Sequence, residues 1–369
     1  MRIAFEAKRA FHNFTGLGRY SRLLLKALAA VEGNELLLFT PKAKSHPEAE
    51  FLRTSPPFSL VEGPKLGGSF WRQFRLATLA QQQETHLFHG LSHELPQGLR
   101  KRGIPSVLSV HDLIFLRYPQ DYPWLDRQLY DWKLRRSCQE ADLILAMSEA
   151  TKADLVHFYG LPEENIQVSY QTFDQRFLQG VSETPLQRIR AKYELPSNFI
   201  LAVGSALPRK NLGIILQAMR IKPTLPLVVV GGGKARTFWQ AEETELGITD
   251  QVQWLGFVPE EELPALYQAA SLLIAPSLYE GFGIPILEAM ASGTPVLCAD
   301  RSSFPEVGGE AARYFDPTSA AALAEVMEGV LGDSAEQARM VELGKLQARR
   351  FSPERLAGEL MEWYRELMS

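Results

Sequence analysis

Two acidic residues, Glu280 and Glu288, stand with seven residues between them in a segment rich in glycine and proline. A carboxylate can accept two hydrogen bonds from a ribose diol, which suits Glu288, and one beside a glycine-rich loop can hold sugar hydroxyls, which suits Glu280. Gly281 and Gly283 permit close backbone approach, and Pro285 suits the start of a helix whose N-terminus attracts anions. An alternative interpretation explains the same pattern. The glycines would only shape a turn, and Glu288 would be a favourable acid in the first helical turn.

Two adjacent cations, Arg209 and Lys210, follow the predicted strand Phe199–Val203. Open α/β sheets bind ligands at the carboxyl ends of their strands, so we expect both side chains at such a crevice. Charge-assisted contacts from two cations would stabilise the negative charge that grows on a departing diphosphate. Taken alone, the pair also fits a solvated surface position, and the acidic segment around Glu280 favours the diphosphate.

In the amino-terminal half, Gly16 and Gly18 stand between the first predicted strand and its helix. Such a turn allows the backbone to approach a phosphate. Position 21 is Ser, where the dinucleotide fingerprint needs a third glycine, and no acid closes the following strand at the usual place. A nicotinamide dehydrogenase is therefore disfavoured.

A histidine, His111, directly follows the predicted strand Ser106–Val110. At that carboxyl end it can hydrogen-bond a sugar hydroxyl or a reacting phosphate, whereas a lone histidine also fits a structural role. His89, which precedes Gly90, is a second crevice candidate with less support.

The elements that must position these residues follow from hydrophobic patterning. Short apolar runs alternate with amphipathic stretches along nearly the whole chain, which predicts β-α-β units and parallel sheets. The stretch from Tyr170 to Thr184 has no clear period, so we predict two α/β halves joined near residues 170–185. Ser352 as an N-cap and Pro353 at the first helical position predict a final helix.

Composition limits the function classes. The 369 residues suit two domains, and 46% apolar with 22% charged residues suits a globular protein rather than a disordered or fibrous one. A formal charge of −4 does not suit wrapping nucleic acid by bulk charge. Cys138 and Cys298 are far apart and show neither a disulfide framework nor metal-ligand spacing, which fits a reducing compartment.

The sequence shows neither a secretory signal nor a membrane-spanning stretch. Glu6 and Lys8 interrupt the region where a secretory signal needs an apolar core, and no apolar stretch approaches the roughly 18 residues of a spanning helix. We therefore expect a cytoplasmic protein, with contact at the inner membrane surface left open. Phe70–Arg75 mixes aromatic and basic residues, so it can meet an acceptor or an anionic membrane; a partly buried helix with exposed arginines fits equally well.

Taken together, these segments resemble the retaining glycosyltransferases of the GT-B fold, in the large family 4 group, over nearly the whole chain. The Glu280–Glu288 pair is the most specific motif of the resemblance. The other motifs that carry it are Gly16-Leu-Gly18, Ser109-Val-His111-Asp112, Met147-Ser-Glu149-Ala-Thr-Lys152 and Pro208-Arg-Lys-Asn211.

The resemblance implies an α/β fold of two Rossmann-like β/α/β domains that face each other across a cleft. Residues 1–172 would form the acceptor-binding domain and residues 185–350 the nucleotide-sugar donor domain, and residues 351–369 would be a helix that crosses back to the amino-terminal domain. The family needs no metal, so none would be expected here. No cofactor would be needed either, because the nucleotide sugar is a substrate.

The resemblance also implies roles for individual residues. Glu288 would hold the ribose and Glu280 the transferred sugar, while Arg209 and Lys210 would bind the diphosphate. The implied catalytic residues are Glu280, His111, Lys210 and Arg209. The implied donor-binding residues are Gly16, Gly18, Arg209, Lys210, Glu280, Gly281, Phe282, Gly283, Ile284 and Glu288. Leu207 departs from the family, in which many members carry an acid before Pro-Arg-Lys.

The implied reaction transfers a hexosyl unit from a nucleoside diphosphate sugar to a hydroxyl of a glycan or lipid-linked acceptor, with retention of anomeric configuration. The sequence around His111 and Tyr118-Pro119 is most similar to mannosyltransferases that use GDP-mannose, which we prefer slightly over a UDP-hexose donor. Three alternatives stay open: a nucleotide-sugar epimerase or hydrolase of the same fold, a phosphorylase, and a non-catalytic nucleotide-sugar or glycan-binding protein. No contact with nucleic acid is expected.

Overall fold

The computed structural model describes residues 1–222, 224–233 and 236–369. The chain divides into two units by its internal contacts. The amino-terminal unit comprises Met1–Thr172 together with Pro353–Ser369, and the carboxyl-terminal unit comprises Phe173–Ser352.

The amino-terminal unit is built around a seven-stranded sheet in which every described pair is parallel, with the strand order β3-β2-β1-β4-β5-β6-β7. Its strands are β1 (Arg2–Glu6), β2 (Glu35–Thr40), β3 (Phe58–Glu62), β4 (Leu87–Gly90), β5 (Ser106–Val110), β6 (Leu143–Ala146) and β7 (Ile166–Val168). Its helices are α1 (Lys8–His12), α2 (Gly16–Ala29), α3 (Phe51–Thr54), α4 (Gly68–Phe74), α5 (Leu76–Gln82), α6 (Ile114–Arg117), α7 (Trp124–Glu140) and α8 (Glu149–Tyr159).

The carboxyl-terminal unit repeats this plan with a six-stranded parallel sheet in the order β10-β9-β8-β11-β12-β13. Its strands are β8 (Ile200–Ser205), β9 (Leu227–Gly232), β10 (Val252–Gly256), β11 (Leu272–Ala275), β12 (Val296–Ala299) and β13 (Arg313–Phe315). Its helices are α9 (Glu183–Lys192), α10 (Leu212–Ile221), α11 (Arg236–Leu246), α12 (Leu263–Ala269), α13 (Ile284–Ala291), α14 (Phe304–Gly308), α15 (Ala320–Gly332) and α16 (Ser334–Arg349).

The last helix, α17 (Pro353–Glu366), packs in the amino-terminal unit against α2. Leu356, Leu360 and Tyr364 recur at helical spacing, and they are buried in one cluster with Leu24 and Leu28 of α2. Hydrophobic burial of this stripe therefore attaches the end of the chain to its first β-α unit.

Each sheet has a point where the direction of strand addition reverses. In the amino-terminal sheet β1 lies between β2 and β4, and in the carboxyl-terminal sheet β8 lies between β9 and β11. Loops that leave two neighbouring strands in opposite directions open a crevice at such a point. The loop after β8 carries Arg209 and Lys210, and the loop after β11 carries Glu280. The strand order alone thus brings the predicted cations and acid to one edge.

Several parts of the chain differ from the sequence-based expectation. The stretch expected to lack a period up to Pro185 contains the start of α9, because proline is tolerated in the first turn of a helix. The strands β3, β4 and β13 were not predicted. In β4, four residues that include His89 give little periodic signal. Among the described residues, no helix is both long and apolar enough to span a bilayer.

Candidate functional site

The cation loop after β8 is shaped by a short 3₁₀ turn over Pro208–Lys210 and by Asn211 in the left-handed conformation at φ 56°. The Asn211 side-chain amide donates to the carbonyls of Pro276 at 3.2 Å and Pro317 at 2.8 Å. The main-chain N–H of Leu278 donates to the Arg209 carbonyl at 2.8 Å. These bonds fasten the cation loop to the loop that carries Glu280.

Glu280 and the two predicted cations form one cluster. Lys210 Nζ pairs with Glu280 Oε1, and Arg209 Nη1 lies 3.4 Å from the same oxygen. Arg209 also donates to the Tyr279 carbonyl at 3.1 Å. The Glu280 side chain is only 15% exposed, so burial by itself would raise its pKa. The charges of Lys210 and Arg209 outweigh burial and hold the pKa of Glu280 below its usual range.

Two serines that follow β12 hold the Glu280 loop from the other side. Ser302 Oγ donates to the Glu280 carbonyl at 2.5 Å and accepts from its main-chain N–H at 3.3 Å. The carbonyls of Glu280, at 3.1 Å, and Phe282 are both within hydrogen-bond distance of Ser303 Oγ and share its one proton. A third hydroxyl, that of Ser277, bonds the Glu280 side chain. Sequence reasoning missed these serines, because single serines in loops form no motif.

Glu288 lies one residue beyond the first turn of α13, a little later than expected, and its side chain is 2% exposed. The Tyr267 hydroxyl donates to Glu288 Oε2 at 2.8 Å. Tyr267 is itself fully buried on α12, so its hydroxyl holds the carboxylate in a fixed orientation. Tyr267 has no place in the recognised motif, and only the tertiary structure identifies it.

The residues between the two acids shape the turn into α13. Gly281 and Phe282 are buried, and the Phe282 ring packs edge-to-face on Phe351 with centroids 5.8 Å apart. Gly283 has φ 136°, a conformation that side chains disfavour, and a Cβ there would lie 3.1 Å from the Phe304 ring. The helix begins at Ile284, which is half-buried.

His111 belongs to the amino-terminal unit and is buried at 4% exposure. His111 Nε2 lies 2.9 Å from the Leu91 carbonyl, and since a carbonyl only accepts, Nε2 carries the proton. Nδ1 therefore accepts from the Gln171 amide at 3.3 Å. The His111 main-chain N–H donates to His93 Nε2 at 2.8 Å. Burial, together with the neighbouring His93, lowers the pKa of His111, so the imidazole is a neutral acceptor at neutral pH.

His89 does not serve a crevice, contrary to the weaker expectation from sequence. It is fully buried, with Nδ1 2.6 Å from the Tyr364 hydroxyl and Nε2 2.8 Å from Ser109 Oγ. Ser109 Oγ is in turn 2.9 Å from the Tyr20 hydroxyl. The Tyr20 ring packs edge-on against the His111 ring at 4.5 Å. This chain of bonds ties α17 and α2 to the sheet, and it gives His89 a structural role.

The two amino-terminal glycines differ in their surroundings. A Cβ at Gly18 would lie 1.6 Å from the Asn13 carbonyl oxygen, so only glycine fits this contact between α1 and α2. A Cβ at Gly16 would meet nothing within 4 Å, and Gly16 is exposed at the N-terminus of α2. Close packing therefore explains Gly18, whereas no packing contact explains Gly16.

Phe70–Arg75 was expected either to bind an acceptor or membrane or to form a helix with exposed arginines. Arg75 is exposed, but Arg72 is buried between two carboxylates, at 3.3 Å from Glu6 and 3.0 Å from Glu94. Lys133 of α7 binds the other oxygen of Glu94 at 3.1 Å. The arginine is buried because paired carboxylates compensate its desolvation.

Two further expectations concern the surroundings of the site. Leu207, where many family members carry an acid, is 40% exposed. Within residues 1–222, 224–233 and 236–369, no group of three or more His, Cys, Asp or Glu side chains is arranged to hold a metal ion.

Comparisons with known proteins identify the family. The model for Glycosyltransferase Family 4 matches residues 14–175, and the model for Glycosyl transferases group 1 matches residues 186–347. The chain is 31% identical to O-antigen chain mannosyltransferase B of Escherichia coli, and the match covers 100% of both proteins. The chain belongs to the glycosyltransferase family that these two models describe.

This glycosyltransferase is also 31% identical to the serotype-specific mannosyltransferase WbdA of Escherichia coli. That match covers 67% of this chain and 32% of WbdA. Among solved structures, sucrose-phosphate synthase from Thermosynechococcus elongatus matches 100% of the chain and 99% of its own, with a TM-score of 0.78 at 22% identity. This likeness establishes the fold alone. The predicted two-domain α/β GT-B fold is confirmed.

Proposed function

We propose that this glycosyltransferase transfers a mannosyl unit from GDP-mannose to a hydroxyl of a growing glycan or lipid-linked acceptor, with retention of anomeric configuration. Full-length similarity to an O-antigen chain mannosyltransferase supports both the sugar and the class of acceptor. Similarity to WbdA, a second mannosyltransferase, supports the sugar independently.

The observation that carries this proposal is the cluster of Glu280, Arg209 and Lys210 at the switch point of the carboxyl-terminal sheet. An ammonium group has three donors, so Lys210 can bind a phosphate oxygen while it still binds Glu280. The depressed pKa of Glu280 keeps its carboxylate charged, so both of its oxygens can accept hydrogen bonds from sugar hydroxyls. Arg209 and Lys210 would thus bind the diphosphate of the donor, while Glu280 would bind the hydroxyls of its sugar.

The nucleoside is the proposed ligand of Glu288. Its carboxylate is oriented by the Tyr267 hydroxyl at 2.8 Å, and an oriented carboxylate can accept both hydroxyls of a ribose diol. In the amino-terminal unit, His111 offers Nδ1 as a neutral acceptor for a substrate hydroxyl, in exchange for the Gln171 amide.

The proposed reaction proceeds on one face of the sugar. The bond from the anomeric carbon to the phosphate oxygen breaks, the acceptor oxygen bonds to the same face, and its proton passes to the departing phosphate. Arg209 and Lys210 stabilise the charge on that phosphate, which is the task that a metal performs in many other enzymes. We propose that neither a metal nor a cofactor takes part.

The donor is tested by titrating intrinsic tryptophan fluorescence with GDP, UDP and ADP. We expect GDP to bind most tightly, and tighter binding of UDP would contradict the donor preference. Incubation with GDP-mannose and an oligosaccharide acceptor should yield an extended glycan. Release of free sugar or an epimer without acceptor would instead identify an epimerase or hydrolase, and nucleotide binding without any product would identify a binding protein.

A further inference from the structure

Tyr20 packs directly against the imidazole of His111. It stands on α2 with 4% of its surface exposed, and the two rings are perpendicular with centroids 4.5 Å apart. Perpendicular packing is a favoured arrangement of aromatic rings, because the positive edge of one ring meets the negative face of the other. Burial raises the pKa of Tyr20, so its hydroxyl keeps its proton. The imidazole therefore has an immobile, uncharged neighbour along one side.

The Tyr20 hydroxyl is fixed by a buried chain of hydrogen bonds. It lies 2.9 Å from Ser109 Oγ, and Ser109 stands on β5 only two residues before His111. Ser109 Oγ is 2.8 Å from His89 Nε2, and His89 Nδ1 is 2.6 Å from the Tyr364 hydroxyl of α17. Ser109, His89 and Tyr364 are fully buried. Tyr20 thus joins this chain, through its hydroxyl, to the His111 ring that its own ring contacts.

His89 can complete the chain because it is neutral. Burial, together with the nearby His111, lowers the pKa of His89 to about 3. A neutral imidazole has one N–H donor and one acceptor nitrogen, so it can donate to one neighbouring hydroxyl and accept from the other. The orientation of Tyr20 is therefore set by hydrogen bonds as well as by packing, and no charge enters the core.

The other contacts of the His111 ring hold it less firmly once a substrate binds. Nε2 is held by the Leu91 carbonyl at 2.9 Å, and Nδ1 accepts from the Gln171 amide at 3.3 Å. In the proposed function a substrate hydroxyl replaces that amide, which removes the Gln171 bond. The His93 ring lies farther away than Tyr20, at 5.4 Å and 67°. With one ring hydrogen bond left from the protein, the imidazole can tilt about it unless the contact with Tyr20 prevents this.

We propose that Tyr20 is a positioning residue, which keeps the His111 imidazole oriented so that Nδ1 meets the substrate hydroxyl. Ser109 and His89 act through Tyr20, because they hold its hydroxyl. The inference rests on the proposed role of His111 in the transfer reaction. A group that acts on a substrate has to be held within about 0.5 Å of its productive geometry. A misplaced group lowers the rate without weakening the binding of distant parts of the substrate.

Two substitutions of Tyr20 separate its ring from its hydroxyl. Tyr20→Leu removes the ring, and we expect kcat for mannosyl transfer to fall about tenfold or more. Tyr20→Phe keeps the ring and loses only the bond to Ser109, so we expect a fall of about threefold. The dissociation constant for GDP should stay unchanged in both variants, because the proposed ribose ligand Glu288 lies in the carboxyl-terminal unit. A residue with only a structural role would lower the unfolding temperature and leave kcat unchanged.

Phe39→Leu is the matched control for the loss of a buried aromatic ring. Phe39 is fully buried in the same unit, but it stands on β2, three strands away from β5. It also belongs to a different core cluster from Tyr20. This variant should lose stability as Tyr20→Leu does, while its kcat should equal that of the wild-type protein.

Ser109→Ala tests the bond that anchors the Tyr20 ring. It removes the same hydrogen bond as Tyr20→Phe, so the two changes should not be independent. We expect the double variant to lose about threefold in kcat, as each single variant does, rather than about ninefold. Effects that multiply would contradict the proposal that Ser109 acts through Tyr20.

A spectroscopic measurement tests the positioning of His111 without turnover. Nitrogen-15 resonances of labelled histidine distinguish a protonated ring nitrogen from an unprotonated one, and the His111 signals are identified by their loss in His111→Gln. We expect separate Nε2 and Nδ1 signals in the wild-type protein and broadened or partly averaged signals in Tyr20→Leu. An unchanged spectrum of Tyr20→Leu, or a kcat equal to that of the wild-type protein, would overturn the proposal. Absence of transfer by the wild-type protein would count against the proposed function alone, since the spectrum still reports on His111.

Discussion

At the residue scale, the main result is that three side chains expected to bind different parts of a donor also bind each other. Glu280 was assigned to the sugar, and Arg209 and Lys210 to the diphosphate. The structure places all three in contact, with Glu280 Oε1 shared by both cations. A charged carboxylate between two cations stays ionised and keeps both cations in place before any donor binds.

The first prediction concerns this cluster. Glu280→Gln or Lys210→Ala should reduce kcat by about 100-fold or more, because each change removes a charge that acts on the reacting sugar diphosphate. The fold should be retained, since neither side chain belongs to an apolar core. Glu262→Gln is the matched control, as Glu262 binds Lys192 at 2.7 Å on the surface of the same unit. Steady-state kinetics beside thermal unfolding checks this, and near-normal transfer by either variant would refute the assignment.

A second residue-scale prediction concerns Tyr267. Tyr267→Phe removes one hydrogen bond to the buried Glu288 carboxylate, which is worth about 1.5–3 kcal/mol. If Glu288 holds the ribose, the dissociation constant for the nucleotide should rise about tenfold. Tyr193→Phe is the control, because the Tyr193 hydroxyl donates to Glu262 at 2.5 Å in the same unit. Calorimetry measures the affinity. Equal nucleotide affinity of the wild-type protein and Tyr267→Phe would contradict the assignment of Glu288, oriented by Tyr267, to the ribose.

At the scale of elements, the site depends on loops that are fastened to each other rather than on any one motif. Asn211 bonds carbonyls of the loops after β11 and β13, and Ser302 and Ser303 bond the Glu280 loop from behind. Four short parallel strands thus deliver their carboxyl ends to one rigid edge. Such mutual hydrogen bonding is what holds a binding constellation in place.

Glycine substitutions at the start of α2 give an element-scale prediction. Gly18→Ala should destabilise the protein by about 1–3 kcal/mol, because a Cβ would lie 1.6 Å from the Asn13 oxygen and the junction of α1 and α2 must shift. Gly16→Ala should leave stability unchanged or slightly improved, since its Cβ meets nothing and alanine favours helix.

The two glycine variants also separate packing from function. If the N-terminus of α2 approaches the donor, Gly16→Ala should lower activity without lowering the unfolding temperature. Chemical denaturation and kinetics on both variants check this. Full activity of Gly16→Ala would remove Gly16 from the donor-binding residues.

At the scale of the whole molecule, the seven histidines are distributed very unevenly. All of them precede residue 173, so they lie in the amino-terminal unit. Burial lowers the pKa of His89 to about 3 and, with help from Arg9, that of His93 to about 4. The unfolded chain binds protons at these positions near pH 6.5, whereas the folded unit does not.

Acid should therefore unfold the amino-terminal unit first. Above about pH 6.5 these histidines make their whole contribution to the free energy of unfolding. That contribution is lost as the pH falls toward about 4, because the unfolded state binds more protons throughout that window. Hydrogen exchange at pH 7 and pH 5 should show earlier opening in residues 1–172. His93→Asn, which tolerates the φ of 63° at this position, should weaken the pH dependence. The control is His157→Gln, which changes an exposed side chain and should leave the pH dependence as it is. Earlier opening of the carboxyl-terminal unit would contradict the prediction.

Sequence alone was sufficient for the elements with strong local signals. The runs Glu35–Thr40, Ser106–Val110 and Leu272–Ala275 are strongly apolar, and the strands have these bounds. The final helix follows from the cap signal at Ser352-Pro353 and the apolar stripe after it. Glu280 and Glu288, with the glycines between them, were recognisable because a turn into a helix restricts residue types at fixed positions.

What the sequence could not decide is which polar side chains meet. His89 and His111 each stand at or just beyond the carboxyl end of a strand, yet His89 is bonded into the core and His111 is held by Leu91 and Gln171. Tyr267 and Ser302 reach the site from elements distant in sequence. Local patterning sets strands and turns because it acts between neighbours along the chain. The partners of a buried polar group are set by strand order and packing, and those exist only once the chain has folded.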